Sequence, residues 1–264
     1  MERREAVGIC SKETVRDQQS IRMQIASYLK TSLIEWPGKI ASVIFTPGCN
    51  FRCPFCHNAS LVNQTERLTL IDEKQIFADL KKRKKWVDAV VVTGGEPSLQ
   101  KDLPKFLKKI KKLGFLGMIH TNGTNPEVIA RLLSCYLIDY VAMDIKGDFE
   151  NYSNYTNCPN DQIIKNVKES MRLIIESEVE YEFRTTVVPG LHDLPSLKKL
   201  AEQIALILNT KSLILNTKWY LQQFQPKNNL DKKFLKIKPY SKEEMENFQR
   251  HLQKVIPGVF LRGV

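Results

Sequence analysis

The sequence of 264 residues has no long apolar run and few cysteines. A membrane-spanning helix needs roughly 18 or more consecutive apolar residues, and no segment approaches that length. The amino-terminal segment MERREAVGICSKETVRD is charged from its start and lacks the apolar core of a signal peptide, so we expect a cytoplasmic protein. Six cysteines are too few for a disulfide scaffold in a chain of this size. Membrane proteins and disulfide-stabilised secreted domains are therefore excluded.

The charge of the chain is unbalanced, with 40 Lys and Arg residues against 29 Asp and Glu residues and a formal net charge of +11. This balance suggests an acidic partner, such as nucleic acid, an electron-transfer protein or another macromolecule, and does not choose among them. Two lysine runs, KKRKK at 81–85 and KKIKK at 108–112, are the local candidates for nucleic-acid binding. In the second run the lysines lie opposite an apolar stripe, so we favour a solvated helix surface and expect no nucleic-acid partner.

Short β-rich apolar runs alternate with helical patterns from about residue 40 onward. The six predicted strands are Ile40 to Phe45, Ala89 to Thr93, Leu116 to His120, Tyr140 to Asp144, Tyr181 to Val188 and Trp219 to Phe224. Strands that alternate with helices of about ten or more residues form βαβ units, so we expect an α/β fold with a parallel sheet. We predict one core domain over residues 23–264 and assign residues 1–22, which show no clear period, to an amino-terminal extension.

Three segments between the predicted strands have a helical period. The clearest is DLPKFLKKIKKLG at 102–114, where Asp102 is the predicted amino-terminal cap and Gly114 the stop. A second helix is predicted to begin with Asn125 as its cap and Pro126 as its first residue. Apolar residues at positions 163, 167, 171 and 174 indicate a third.

The loops after the predicted strands are polar and contain glycine. The first strand is followed by TPGCNFRCPFCHN, the second by GGEPS and the third by TNGT, and the fourth runs into DIKG. In parallel sheets and barrels, reactive groups gather at the carboxyl ends of the strands. We therefore expect these four segments to form the functional site.

Three cysteines in the first of these loops, Cys49, Cys53 and Cys56, have the spacing C-x3-C-x2-C. Three thiolates on one short loop can bind three corners of an iron–sulfur cube and leave the fourth iron open to a substrate. The alternative is a closed tetrahedral zinc site with His57 as the fourth ligand. The spacing differs from the paired C-x2-C of zinc ribbons, and the sequence has no second pair, so we favour the cluster.

The C-x3-C-x2-C loop, with Phe55 before its last cysteine, resembles the signature of the radical S-adenosylmethionine (SAM) superfamily. The segment GGEP at 94–97 follows the second strand and is similar to that superfamily's motif for the SAM amino group. Glycines let backbone groups approach a ligand closely, and carbonyls or carboxylates accept hydrogen bonds from an ammonium. The alternative for GGEP alone is an ordinary turn. The resemblance implies a single-domain partial (β/α)6 barrel of the radical SAM type.

A narrower resemblance extends from about residue 28 to the end of the sequence. The segments that carry it are SLIEWPGKIASVIFTPGCNFRCPFCHN, TNGT, DIKG, FRTTVVPG, LQQFQP and LRGV. Together they resemble the activating proteins of anaerobic ribonucleoside-triphosphate reductase, which belong to the glycyl-radical enzyme activases. Some relatives insert a ferredoxin-like domain with further cysteines after the first loop. Between Cys56 and Thr93 this sequence has no cysteine, so we expect no such insertion.

The resemblance implies a set of site residues. Cys49, Cys53 and Cys56 would bind a 4Fe–4S cluster, with the amino and carboxylate groups of SAM on the fourth iron. The residues expected to bind SAM are Phe55, His57, Gly94, Gly95, Glu96, Thr121, Asn122, Gly123, Asp144, Lys146 and Arg184. Many activases have an aspartate before Thr-Asn-Gly that helps to hold a monovalent cation, and here the sequence departs from the pattern with His120.

The resemblance also implies a reaction. A reduced flavodoxin or ferredoxin would pass one electron to the cluster, and SAM would be cleaved to methionine and a 5′-deoxyadenosyl radical. The radical would then act on a glycine of anaerobic ribonucleoside-triphosphate reductase. Two alternatives within the superfamily are the activation of another glycyl-radical enzyme and action on a small molecule. A third, outside enzymology, is a zinc or iron–sulfur module that binds nucleic acid.

Overall fold

The computed structural model describes residues 22–63 and 68–264, which form one eight-stranded sheet with helices packed against it. The strands are β1 Ser27–Ser32, β2 Ala41–Thr46, β3 Ala89–Gly94, β4 Leu116–Thr121, β5 Tyr140–Asp144, β6 Glu180–Val187, β7 Trp219–Gln223 and β8 Val259–Arg262. Their order in the sheet follows their order in the sequence. The pair β1 and β2 is antiparallel, and every pair from β2 to β8 is parallel. The predicted extension lies outside the described residues, except for Arg22.

The six predicted strands are found as β2 to β7, and the sheet has two further strands. The first is β1, with the sequence SYLKTS, whose residues are mostly exposed at the edge of the sheet. The second is β8, which has only four residues and one buried position, Val259. The count of six was therefore too low, because neither segment has the apolar run from which the other strands were predicted.

The described helices are α1 Ala59–Asn63, α2 Glu73–Arg83, α3 Leu103–Lys112, α4 Pro126–Ser134, α5 Tyr152–Thr156, α6 Asp161–Glu176, α7 Leu194–Leu208, α8 Lys211–Asn216 and α9 Lys242–Leu252. Short 3₁₀ turns lie at Pro97–Leu99 and Lys232–Lys236. The three predicted helices correspond to α3, α4 and α6. Within the described ranges, none of the helices combines the length and the hydropathy that crossing a bilayer requires.

Two predicted helix caps occupy the expected positions without making the expected hydrogen bonds. Asp102 precedes α3 and Asn125 precedes α4, but neither side chain accepts from the first turn of its helix. Asn125 instead donates through Nδ2 to Ser98 Oγ at 2.8 Å. The amide therefore ties the start of α4 to the loop after β3, which lies beside the site.

The two faces of the sheet differ because side chains alternate along each strand. One face packs against the helices in the larger core, to which Val90, Val92, Ile119 and Val141 belong. The inward face is filled near the amino ends of the strands by a small cluster, namely Trp36, Ala41, Val43, Ala89, Val91, Met118, Tyr140 and Ala142. Towards the carboxyl ends the inward positions are mostly polar. The barrel interior is thus closed by apolar side chains at one end and open at the other.

Candidate active site

A cavity of about 370 Å³ lies at the carboxyl ends of β2 to β7. All of the predicted site residues except Gly123 line it. Gly123 lies in the turn after β4 with a φ of +74°, and a Cβ on it would lie 2.1 Å from Met143 Cε. The positive φ favours glycine in this turn, and the expected contribution of Gly123 to the SAM pocket stays a prediction.

The three cysteines of the first loop share the cavity, and all three are free. Cys53 is buried and the other two are half-buried. Burial raises the pKa of Cys49 to about 11 and that of Cys53 to about 12, and it also raises the pKa of Cys56. The thiols are therefore protonated when no metal is bound, and metal binding releases their protons. Three free sulfurs on one wall of one cavity fit a cluster that takes three protein ligands.

A segment after β7, residues 229–231, is hydrogen-bonded to the cysteine loop. The bonds run from Asn229 Nδ2 to Phe55 O, from Leu230 N to Cys56 O and from Asp231 N to Pro54 O, each at 2.9 Å. These bonds fix the backbone of the loop between its second and third cysteines. The sequence analysis quoted the LQQFQP stretch just before this segment but assigned it no contact with the cysteines. Four residues of that stretch, Gln222 to Gln225, line the cavity.

The two glycines of GGEP lie against the backbone of the chain itself. Gly94 has a φ of +122°, and a Cβ on it would lie 2.4 Å from Thr46 N. A Cβ on Gly95 would lie 1.8 Å from Gly48 O. The close approach that these glycines allow is thus to the loop after β2, which carries the cysteines. The sequence analysis had assigned that close approach to the ligand alone.

Glu96 is fully buried, and its carboxylate joins the loop after β3 to the loop after β4. Oε1 accepts from the Thr121 hydroxyl at 2.7 Å and from Ser98 N at 3.0 Å, and Oε2 accepts from Asn122 N at 2.7 Å. Burial raises the pKa of this carboxyl, although the three hydrogen bonds lower it. The side chain therefore has a structural task in addition to any contact with a ligand.

Amide side chains connect the cysteine loop to the loop after β4. Asn122 Nδ2 donates to Asn50 Oδ1 at 2.8 Å and lies 3.9 Å from Cys49 Sγ. Asn50 Nδ2 in turn donates to Thr124 Oγ1 at 2.8 Å. The position of the first cysteine is thus coupled to the TNGT segment, and the sequence analysis did not identify Asn50 or Thr124 in this role.

Asp144 and Lys146 form an ion pair in the cavity wall, with 2.7 Å between Oδ2 and Nζ. Burial alone would lower the pKa of Lys146, but the Asp144 carboxylate and the Cys53 sulfur raise it, and the net pKa lies above its ordinary value. The ammonium therefore stays charged. Both side chains line the cavity.

His120 and Arg184 are neighbours on the inward face, with Arg184 Nη1 3.4 Å from both ring nitrogens of the histidine. Burial, followed by the charges of Arg184 and Arg262, holds the pKa of His120 well below its ordinary value. The ring is therefore neutral at neutral pH. It offers no negative charge to a cation, unlike the aspartate found at this position in many activases.

Within the described ranges, no three His, Cys, Asp or Glu side chains lie close enough together to hold a single metal ion. A tetrahedral zinc ion needs its ligands within about 2.3 Å of one point. A 4Fe–4S cube instead takes one thiolate on each iron, so its ligands lie farther apart. The geometry therefore gives no support to the zinc alternative with His57.

Residues 43–201 match the family model of the radical SAM superfamily. The chain belongs to this superfamily. It is 35% identical over 243 residues to MJ1227 of Methanocaldococcus jannaschii, a candidate glycyl-radical enzyme activating enzyme, covering 91% of this chain and 96% of the relative. It is 28% identical to the pyruvate formate-lyase-activating enzyme of Clostridium pasteurianum over 249 residues, which cover 88% of this chain and 98% of that enzyme.

Solved structures show the same fold at lower identity. The structure of Streptococcus suis SuiB bound to S-adenosylmethionine has a TM-score of 0.59 and 15% identity, and the match covers 84% of this chain and 52% of SuiB. Members of the radical SAM superfamily use a 4Fe–4S cluster and SAM. The chain is therefore an enzyme of this superfamily, related to glycyl-radical enzyme activating enzymes, and its cofactors are the cluster and SAM.

Proposed function

We propose that this enzyme installs a glycyl radical on anaerobic ribonucleoside-triphosphate reductase. The observation that carries the proposal is that the match covers 96% of a candidate activating enzyme and 98% of a pyruvate formate-lyase-activating enzyme. The described residues form the sheet, its helices and one cavity at the strand ends, which suits a flexible glycine loop of a partner protein.

The choice of the reductase as the partner rests on the resemblance of the quoted segments, from SLIEWPGK to LRGV. The second candidate partner is pyruvate formate-lyase, because activating enzymes of that protein are among the relatives of this chain. Action on a small molecule has weaker support, since the GTP 3′,8-cyclase relative from Pyrococcus horikoshii is only 24% identical.

In this proposal Cys49, Cys53 and Cys56 hold the cluster, and the walls of the cavity hold SAM. When bound, the cluster and SAM supply the reductive cleavage that yields methionine and a 5′-deoxyadenosyl radical. The chain holds the cysteine loop through the contact of Asn50 with Asn122 on one side and through residues 229–231 on the other. No general acid or base is needed.

The apolar side chains of the cavity have a task in the same proposal. Phe51, Phe55 and Phe224 line the cavity near the cysteines and are at most 5% exposed. Rings at these positions exclude water from the space where a carbon radical would form. The charged pair of Asp144 and Lys146, which also lines the cavity, would bind the polar groups of SAM.

A lysine-rich segment beside the cysteine loop supports flavodoxin or ferredoxin as the electron donor. Residues 227–238, which we call the lysine rim, include the hydrogen-bonded residues 229–231. Its exposed lysines are Lys227, Lys232, Lys233, Lys236 and Lys238. The rim has one acidic residue, Asp231. An acidic electron-transfer protein would dock here close to the cluster, because complementary charge steers such encounters.

The proposed function is tested by mixing the enzyme anaerobically with SAM, a reductant and either the anaerobic reductase or pyruvate formate-lyase from the same organism. We expect a glycine-centred doublet in the electron paramagnetic resonance (EPR) spectrum with the reductase. Deuterium placed on the α-carbon of that glycine should appear in 5′-deoxyadenosine. A doublet with pyruvate formate-lyase alone would transfer the proposal to the second partner. Turnover of a small molecule, with no glycyl radical on either protein, would reject both.

A further inference from the structure

A buried ion-pair network lies on the inward face of β6 and β8. Glu182 is fully buried and accepts hydrogen bonds from Arg262 Nη1 at 2.7 Å, from Arg262 Nη2 at 3.0 Å and from the Tyr140 hydroxyl at 3.0 Å. Arg184 donates to the same carboxylate through Nε. Two arginines therefore share one carboxylate. Neither Glu182 nor Arg262 lines the cavity, whereas Arg184 does.

The way in which Arg262 binds the carboxylate determines how Arg184 binds it. Because the two terminal nitrogens of Arg262 take both oxygens of Glu182, Arg184 contacts the carboxylate through Nε alone. Its Nη1 faces His120 at 3.4 Å. Its Nη2 is buried and has no hydrogen-bond partner in the described part of the chain. Arg184 thus lines the cavity, while its one unpaired donor is closed off from solvent.

An unpaired buried donor is costly, since it has lost its bonds to water without replacing them. Arg184 is only 6% exposed, so bulk water does not satisfy it. Glu182 is ionised, because the two arginines lower its pKa by more than burial raises it. The network then contains two positive charges and one negative charge, and its excess positive charge lies beside the cavity. A ligand group with lone pairs or negative charge would be attracted to this side of the cavity.

The position of Arg262 is itself fixed from two sides. Its Cζ lies 4.0 Å from the centroid of the Tyr220 ring, which is a cation–π contact. Its fork holds Glu182 from the other side. If Arg262 were removed, Glu182 would keep only its bonds from Tyr140 and Arg184, and Arg184 would turn to bind it with its own fork. That rotation would draw the guanidinium away from the cavity.

We propose that Glu182 and Arg262 are positioning residues, which hold the Arg184 guanidinium in the wall of the cavity, where it can bind an acceptor group of SAM. The proposal rests on the role of Arg184 toward SAM in the proposed function. It extends the cofactor site to β8, although Arg262 does not line the cavity. The strand that the sequence analysis missed is thereby part of the site.

The test measures equilibrium binding of SAM to the cluster-loaded enzyme in its oxidised state, where no cleavage occurs. Arg184→Gln should weaken SAM binding by about tenfold to a hundredfold, the range for a lost hydrogen bond to a charged group. Arg262→Gln should weaken it several-fold. The double variant should bind SAM no more weakly than Arg184→Gln alone, because Arg262 acts only through Arg184. Arg172→Gln, at a surface ion pair on α6, is the control and should bind as the wild type does.

Each of the other outcomes overturns a defined step. Unchanged binding in Arg184→Gln would reject the role of Arg184 and the positioning with it. Unchanged binding in Arg262→Gln, beside a loss in Arg184→Gln, would reject the positioning alone. Losses that multiply in the double variant would show that Arg262 acts independently. Arg262→Lys keeps the charge without the fork. This variant should fold and still bind SAM more weakly than the wild type. Wild-type affinity would contradict the proposal that the two terminal nitrogens of Arg262 are needed to hold Glu182.

Discussion

Replacing Glu96 by Gln changes one buried carboxylate oxygen into an amide nitrogen at almost constant volume. In the wild type, Oε1 accepts from Thr121 and Ser98, and Oε2 accepts from Asn122. Glutamine has only one acceptor oxygen and two donor hydrogens. Whichever way the amide is turned, the backbone N–H of Ser98 or of Asn122 faces a donor and loses its partner.

The size of the effect follows from this lost partner. An unpaired buried donor costs about 1–3 kcal/mol of the free energy of unfolding. For domains of about 150–250 residues, each kcal/mol lowers Tm by about 2–4 °C. We therefore expect Glu96→Gln to unfold about 2–12 °C below the wild type. Glu169→Gln, at a half-exposed position on α6, should unfold within about 1 °C of it, since surface substitutions are usually small.

The assay is thermal unfolding of the anaerobically purified protein, followed by circular dichroism at several pH values. The pKa of Glu96 is raised by burial, so the stability that its protonation contributes is present below its ordinary pKa. That contribution is lost as the pH rises through the raised pKa of the folded state. The gap between wild type and Glu96→Gln should accordingly widen as the pH falls. Equal melting temperatures at neutral pH would refute the argument that both oxygens are needed.

Two further predictions concern the loops around the cysteines. Gly95→Ala should lower both the melting temperature and the iron content, because its Cβ would lie 1.8 Å from Gly48 O; iron at the wild-type level would show that the loop adapts. Lys232→Glu with Lys236→Glu should raise several-fold the KM for reduced flavodoxin in SAM cleavage, while cleavage driven by dithionite stays unchanged. The matched control is Lys108→Glu with Lys112→Glu on α3, and an equal effect of both pairs would remove the docking role from the lysine rim.

The sequence predicted the parallel part of the fold because its strands are continuous apolar runs that are buried in the sheet. Val90, Val91 and Val92 are fully buried, and such a run has few alternatives to a central strand. The edge strand β1 and the short β8 could not be found in the same way. Their pairing depends on the neighbouring strands β2 and β7 rather than on their own composition.

The site was predictable where chemistry requires a spacing along one loop, as for the three cysteines. It was less predictable where distant segments meet. The Asn50–Asn122 contact, and the contact of Glu182 with Arg262, join residues that are 72 and 80 positions apart. Such contacts follow from the order of the strands in the sheet, where one strand lies between the two that carry each pair, and β8 was absent from the predicted set. Gly94 and Gly95 were predicted to allow the ligand a close approach, because the sequence does not show that the cysteine loop lies against them.

The central claim is that Cys49, Cys53 and Cys56 hold a 4Fe–4S cluster with one iron open to SAM. The most direct measurement is the EPR spectrum of the reduced protein before and after SAM is added, together with its iron content. We expect the wild type and Cys158→Ala, which removes a free cysteine outside the loop, to hold about four irons and to change their spectrum with SAM. Each single alanine variant of the three cysteines should lose iron sharply. A wild-type cluster whose spectrum does not respond to SAM, or full iron in all three variants, would contradict the account.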